Sequence, residues 1–377
     1  MNRVGIVVVL CILVAILVWR RDVSYLLFRP RPGAMIQQRI SPQIASITPA
    51  TIGPVIIAEN LRIPWDIAFL PSGDLLVTER SGRVLKIGTQ TKLIAEISGV
   101  KHIGEGGLLG MALHPDFLVN NYVYLYSTTQ DNTGIANRVE RYTLSGETLT
   151  DRKNILDGIK GSSNHDGGRI QFGPDGYVYI TTGDAENPTS AQDKNSLNGK
   201  ILRIKDDGTI PEDNPFGNAV YSLGHRNPQG LAWDSSGRLW QIEHGPSGLQ
   251  TGYDEVNLIQ KGGNYGWPIL KGDQKQSGYS APILHSGTSD TWAPAGLTQY
   301  NGSLYFSGLR GESIYKAQIV SDTKLDLSAH FTSEFGRIRT IVVGPDGYFY
   351  ITTSNTDGRG QKKERDDKII RIHPMSL

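Results

Sequence analysis

With 377 residues, 44 of them glycine, a single cysteine and a formal net charge of +1, the chain has room for one large domain or two ordinary ones. The near-neutral charge leaves no footprint for a nucleic acid or another polyanion. The lone Cys11 excludes a disulfide framework and a thiolate metal site.

The first segment differs from the rest. Val4 to Trp19 is a continuous apolar run, flanked by Arg3 and by Arg20-Arg21. It is long for a secretory core and no small-residue cleavage site follows. It is slightly short of the ~20 residues of a full span. An uncleaved signal-anchor over residues 1–29 is expected, which makes the fold an all-β domain preceded by an N-terminal membrane-anchor helix. The basic pair after the run favours a cytoplasmic C-terminal side, in conflict with the export inferred below. Residues 30–52, with several prolines and Ser/Thr/Gln, read as a linker.

From residue 53 one pattern returns. An apolar residue leads into a Pro/Ser/Asp/Gly turn and then into an alternating apolar strand. The copies begin at Phe69, Leu113, Phe172, Trp233, Gln299 and Val343; two of them read FGPDGYVYITTGD and VGPDGYFYITTSN. The turns supply Asp or Asn and Gly where φ must be positive. The strands read as half-buried sheet. Six such hairpin units predict a six-bladed β-propeller over residues 53–377, because one hairpin cannot bury both its faces alone. The segment Gly53 to Ile57 could pair into the last blade and close the ring.

In a propeller, loops converge at one end of the channel. Five stand out here: Gly104 to Gly110, Asn164 to Arg169, Gly224 to Gly230, Glu243 to Pro246 with Tyr253 to Pro268, and Gly336 to Arg339. They bring together histidine, carboxylates and the guanidiniums of Arg226, Arg337 and Arg339. Three cations at one mouth call for an anion; pairing with carboxylates of neighbouring blades is the alternative. His165 and Asp184 bracket one repeated hairpin, whose return can bring them together. Each could equally be an ordinary turn residue.

The segments GEGGLLGMALHPDF, NHDGGRIQFGPDGYVYITTGD, GHRNPQGL, EHGP, DEVNLI, GGNYGWP and RIRTIVVGPDGYFYITT occur in this order. Together they resemble the soluble quinoprotein sugar dehydrogenases, the aldose and glucose dehydrogenases that use pyrroloquinoline quinone (PQQ) and Ca²⁺ on a six-bladed propeller. The resemblance spans about residues 53 to 373. It implies His165 as catalytic base and Asp184 as the carboxylate that orients it. It implies Arg226 and Asn227 as quinone-binding, and Arg337 and Arg339 as holding the quinone's carboxylates. Gly245 and Pro246 match positions whose main-chain carbonyls hold the cofactor's Ca²⁺, and Glu255 and Tyr265 resemble ligands of a second, structural Ca²⁺. Tyr279 matches a further cofactor contact. Two positions depart from the pattern. Glu105 stands where the family carries Gln, and a carboxylate beside an anionic quinone needs a proton, a cation or water between them. Arg310 stands where glucose-oxidising members use Lys, keeping the charge but not the shape.

The implied reaction oxidises an aldose at C1 to the lactone. His165 takes the hydroxyl proton, the quinone takes the hydride, and an external quinone or cytochrome accepts the electrons. An extracytoplasmic, membrane-tethered location follows from the apolar run and the use of Ca²⁺. Two other readings remain: a calcium-dependent propeller hydrolase such as a lactonase, and a non-catalytic sugar-binding propeller. The first would need a carboxylate-rich metal site in the channel. The second would be expected to have lost the base or the arginines.

Overall fold

In the computed structural model, residues 53–377 are described, apart from 133 and 247–251. The expected anchor and linker lie outside the described residues. Among the described residues, no helix is long and apolar enough to cross a membrane.

The strands form six four-stranded antiparallel sheets. Blade one contains Pro64–Phe69, Leu75–Glu79, Arg83–Ile87 and Thr91–Glu96; blade two contains Leu108–Leu113, Tyr122–Asp131, Gly134–Ser145 and Thr148–Lys160. Blade three contains Ile170–Phe172, Val178–Thr182, Lys200–Ile204 and Val220–Leu223; blade four contains Pro228–Trp233, Leu239–Glu243, Glu255–Ile259 and Leu284–His285. Blade five contains Pro294–Tyr300, Ser303–Gly308, Ile314–Ser321 and Lys324–His330. Blade six takes Ile338–Val343, Phe349–Thr353 and Ile369–Ile372 from the end of the chain and Val55–Ala58 from its start. Val55 lies opposite Arg371 and Ile56 opposite Ile370, so the first described strand closes the ring. The first strands of blades one and six pack together, as a closed propeller requires.

Each repeated turn joins the first and second strands of a blade. In blade three, Gly176 has φ 80° and its N–H donates to the Gly173 carbonyl at 2.9 Å. Asp175 accepts the Tyr177 N–H on one oxygen and the Tyr179 hydroxyl on the other. In blade six, Asp346 grips Tyr348 and Tyr350 in the same way. The turn aspartate therefore anchors an aromatic of the strand that follows.

The second strands depart from the half-buried expectation. Leu75–Glu79, Val178–Thr182, Leu239–Glu243 and Phe349–Thr353 are buried at every position. Each is covered by blades on both faces, so their polar residues must find partners inside. Thr182 does so through the carbonyls of Leu197 and Lys200. Between blades two and three, Val178, Ile180, Leu202 and Ile204 pack against Tyr124 and Tyr126, all fully buried.

Candidate active site

The loops that precede the first strands and follow the second strands gather at one end of the propeller. They enclose a cavity of about 560 Å³, within the usual range for small-molecule sites. Its lining includes Glu105, His165, His244, Gly245, Pro246 and five arginines: 226, 310, 337, 339 and 359.

His165 enters this wall from a left-handed turn, φ 61°. The return strand brings Asp184 beside it. A Cβ on Gly183 would clash with the His165 carbonyl, so only glycine lets the two loops abut. His165 Nδ1 meets Asp184 Oδ1 at 2.7 Å. A carboxylate can only accept, so Nδ1 carries the proton and Nε2 keeps its lone pair. Asp184 is itself fixed, taking the Glu186 N–H at 2.9 Å and the Trp267 indole N–H at 2.8 Å. It is 1% exposed, so its charge is spent on oriented donors rather than on water.

Glu105 faces the same cavity and has the cation it requires. Arg359 Nη1 donates to its Oε1 at 2.6 Å. Its Oε2 accepts the His165 main-chain N–H at 3.1 Å and the Asn227 amide at 3.2 Å. Burial alone would raise this carboxyl; His244, charged only at the acid pH where Glu105 titrates, and the bound Arg359 outweigh that and hold it down at about 2. Glu105 is therefore an anion that stiffens the His165 loop.

The arginines are not equivalent. Arg337 is paired, giving Nε and Nη2 to Asp357 at 3.0 and 2.9 Å, so its expected freedom for an anion is partly taken. Arg226 lies over the Trp267 ring, 5.4 Å from its centroid. Arg310 is exposed at the rim. Arg339 is buried; Nη1 donates to Gln229 at 2.7 Å, while Nε has no protein partner. Burial, reinforced by the nearby Arg80, pushes its pKa down to about 9. A buried guanidinium without a carboxylate is the strongest demand for an anionic ligand in this cavity. His244 Nε2 is also buried without a partner, and burial pushes that imidazole down to about 4, keeping it neutral.

Gly245 and Pro246 line the cavity, and the Gly245 N–H is tied to Asp254 at 2.8 Å. Glu255 and Tyr265 border an adjoining crevice that shares Arg226, His244, Gly245 and Pro246 with the cavity and also holds Glu243. The buried Glu255 carboxyl is pushed up to about 8, first by desolvation and then by Glu243. Asn257 Oδ1 beside it has no partner. That donor set fits a hard cation. The Tyr265 hydroxyl is committed to the Leu258 carbonyl and the Gln260 N–H, which leaves its main-chain oxygen as the candidate ligand atom.

Two expected contacts fall elsewhere. Tyr279 is not among the cavity residues, and Asn227 sits wholly buried behind Glu105, its oxygen accepting the Gly167 N–H at 3.1 Å. The sequence reading gave no role to Trp267, Asp357 or Arg359. Trp267 lies in the quoted GGNYGWP segment; the other two stand in a polar loop with no pattern to single them out. His225 is buried against Glu243 at 2.9 Å and stacked on Tyr265.

A family described as glucose / sorbosone dehydrogenase matches residues 61–370. The aldose sugar dehydrogenase YliI of Escherichia coli K12 is 33% identical over 345 residues, covering 82% of this chain and 92% of that protein. Quinoprotein glucose dehydrogenase B of Acinetobacter calcoaceticus is 37% identical over 262 residues, covering 60% and 54% respectively. Among solved structures, the PQQ-bound aldose sugar dehydrogenase of Streptomyces coelicolor superposes with a TM-score of 0.78 at 38% identity, covering 85% of this chain and 98% of that one. The chain belongs to the glucose/sorbosone dehydrogenase family.

Proposed function

We propose that this protein oxidises aldose sugars at C1 to the lactone, using PQQ and Ca²⁺, and passes the electrons to an external quinone or cytochrome. The observation that carries this reading is the His165–Asp184 pair opening on a cavity where Arg339 is buried without an anion. A name naming PQQ attaches to a structural neighbour of 38% identity. The unpartnered Arg339 Nε and the cavity volume fit a polyanionic organic cofactor. Arg226, Arg310, Arg337 and Arg339 would hold it, and the carbonyls of Gly245 and Pro246 would hold its Ca²⁺. When bound, PQQ supplies the hydride acceptor and Ca²⁺ polarises it.

The chain's own residues do the proton work. His165 Nε2 takes the proton of the sugar's C1 hydroxyl. Asp184 holds the tautomer and offsets the imidazolium charge that results. Trp267 and the Glu186 N–H keep Asp184 in place. A calcium-dependent hydrolase fits less well: it would need a channel metal held by several side-chain carboxylates, and this cavity sets five arginines around Glu105, Glu186 and Asp254. A bare sugar-binding module would have no use for an oriented base.

Location belongs to the same proposal: the apolar run Val4 to Trp19 would tether the enzyme outside the cytoplasm. The activity is tested by mixing the purified apo-protein with PQQ and Ca²⁺ and following the quinone absorbance as sugars are added. Aldose-dependent bleaching is expected; an unchanged spectrum with every aldose tried would contradict the reading.

A further inference from the structure

Arg359 follows the second strand of blade six, far along the chain from the base, yet both arms of its guanidinium are committed there. Nη1 donates to Glu105 Oε1 at 2.6 Å and Nη2 to Asn164 Oδ1 at 2.7 Å, although the side chain is 52% exposed. Glu105 passes the contact on through the His165 N–H at 3.1 Å. The Arg359 main chain is held by Asp357 at 2.9 Å, the same carboxylate that pairs with Arg337. His165 sits at φ 61°, a conformation a non-glycine residue keeps only when its surroundings over-determine it.

We propose that Arg359 is a positioning residue for the base: acting through Glu105 and Asn164, it fixes the left-handed turn that aims His165 into the cavity. The proposal rests on the reading of His165 as base. Glu105 is a flexible side chain, and a carboxylate with one oxygen anchored by a guanidinium presents the other at a fixed place. Asn164 immediately precedes His165, so the second arm holds the turn from its other side. The contact spans blade six and the loops before blades two and three, and through Asp357 it joins the base to an arginine of the cofactor cavity.

The charges about His165 set a pH signature. Asp184, Glu105 and Glu186 face it and Asp166 lies behind, against the cations Arg226 and Arg359. Removing Arg359 takes a cation from beside these carboxylates and leaves them to favour the imidazolium. His165 then holds its proton to higher pH, and the acid limb of the rate profile moves up.

The test uses the full chain with labelled histidine and compares wild type, R359A, R359K, E105Q and the E105Q/R359A double variant. In ligand-free R359A, the NMR titration of the His165 imidazole should move to higher pH and its main-chain amide should exchange faster. R359K restores the charge but not the Asn164 arm, and should return both part-way. In the E105Q background, adding R359A should speed His165 amide exchange and lower kcat by less than it does in the wild-type background, because the Glu105 arm is already weakened and only the Asn164 arm remains to be lost. With PQQ and Ca²⁺ bound, R359A should lower kcat about tenfold with the sugar KM nearly unchanged. Folded R359A with unmoved His165 signals, or effects of R359A and E105Q that simply add, would overturn the proposal. A wild type that oxidises no sugar would refute the proposed activity, and the NMR arm would still decide the role of Arg359.

Discussion

Arg339 shows how a single side chain points to a ligand. Its pairing with Gln229 is neutral, its Nε is orphaned, and burial already lowers its hold on the proton. An anion would therefore gain charge-assisted bonds without displacing any existing ion pair. Arg339→Ala should weaken PQQ binding by about 1.5–3 kcal/mol, roughly ten- to a hundredfold, measured by titration of the quinone absorbance. Arg337, already paired with Asp357, should lose less on the same substitution. Glu255 gives the second prediction at this scale. In the metal-free protein its carboxyl rises from 4.5 to about 8, so between those values the folded state holds a proton that the unfolded chain has released. Stability should therefore fall as pH rises through that window. Bound Ca²⁺ would keep the carboxylate ionised and remove the slope. Melting curves from pH 5 to pH 8, with and without chelator, should fall more steeply with pH without calcium than with it, and Glu255→Gln should remove that difference. The same curves at every pH, with or without chelator, would count against the site. The individual roles were only partly legible in the sequence. His165, Asp184 and the arginines stand in patterned loops, whereas the partners that decide their state do not. Asp357 and Arg359 come from a polar loop that only ring closure brings to the cavity, and no periodicity marks such a contact.

Among elements, the repeated turn and strand were the most legible part of the chain. Asp, Gly and an aromatic at fixed offsets encode a local geometry, and the structure uses them for that purpose in blades three and six. The burial of the second strands was not legible, because alternation reports one blade and not the neighbours that sandwich it. The loop pair 164–168 and 183–186 works as one element. Gly183 allows the approach that puts Asp184 on His165. Gly183→Ala should push the loops apart, lower the melting temperature as the buried Asp184 contacts give way, and lower sugar-dependent quinone reduction by about tenfold or more in the protein that remains folded. Full activity in that variant would show that the abutment is dispensable.

At the scale of the molecule, closure by Val55–Ala58 places the start of the described chain on the outer edge of blade six, on the last strand of the ring. The apolar run Val4 to Trp19 predicts that intact cells lose the protein to external protease, and that washing with salt does not release it from the membrane fraction. Protein recovered wholly in the cytosol and untouched by protease would refute the tether. The ring also explains why residues 60 to 254 positions apart in the chain share one cavity: Glu105, His165, Arg226 and Arg359 each stand at the same end of their own blade.

The central claim is that His165 is the base, and one substitution tests it directly. His165→Ala removes the imidazole and leaves the arginines, Gly245, Pro246 and Glu105 in place. PQQ and Ca²⁺ affinity, read by titration, should stay near the wild-type value. Stopped-flow measurement of sugar-dependent reduction of the bound quinone should show a rate lower by about 10²–10⁴-fold. Reduction at the wild-type rate in His165→Ala, with the cofactor bound, would contradict the mechanism.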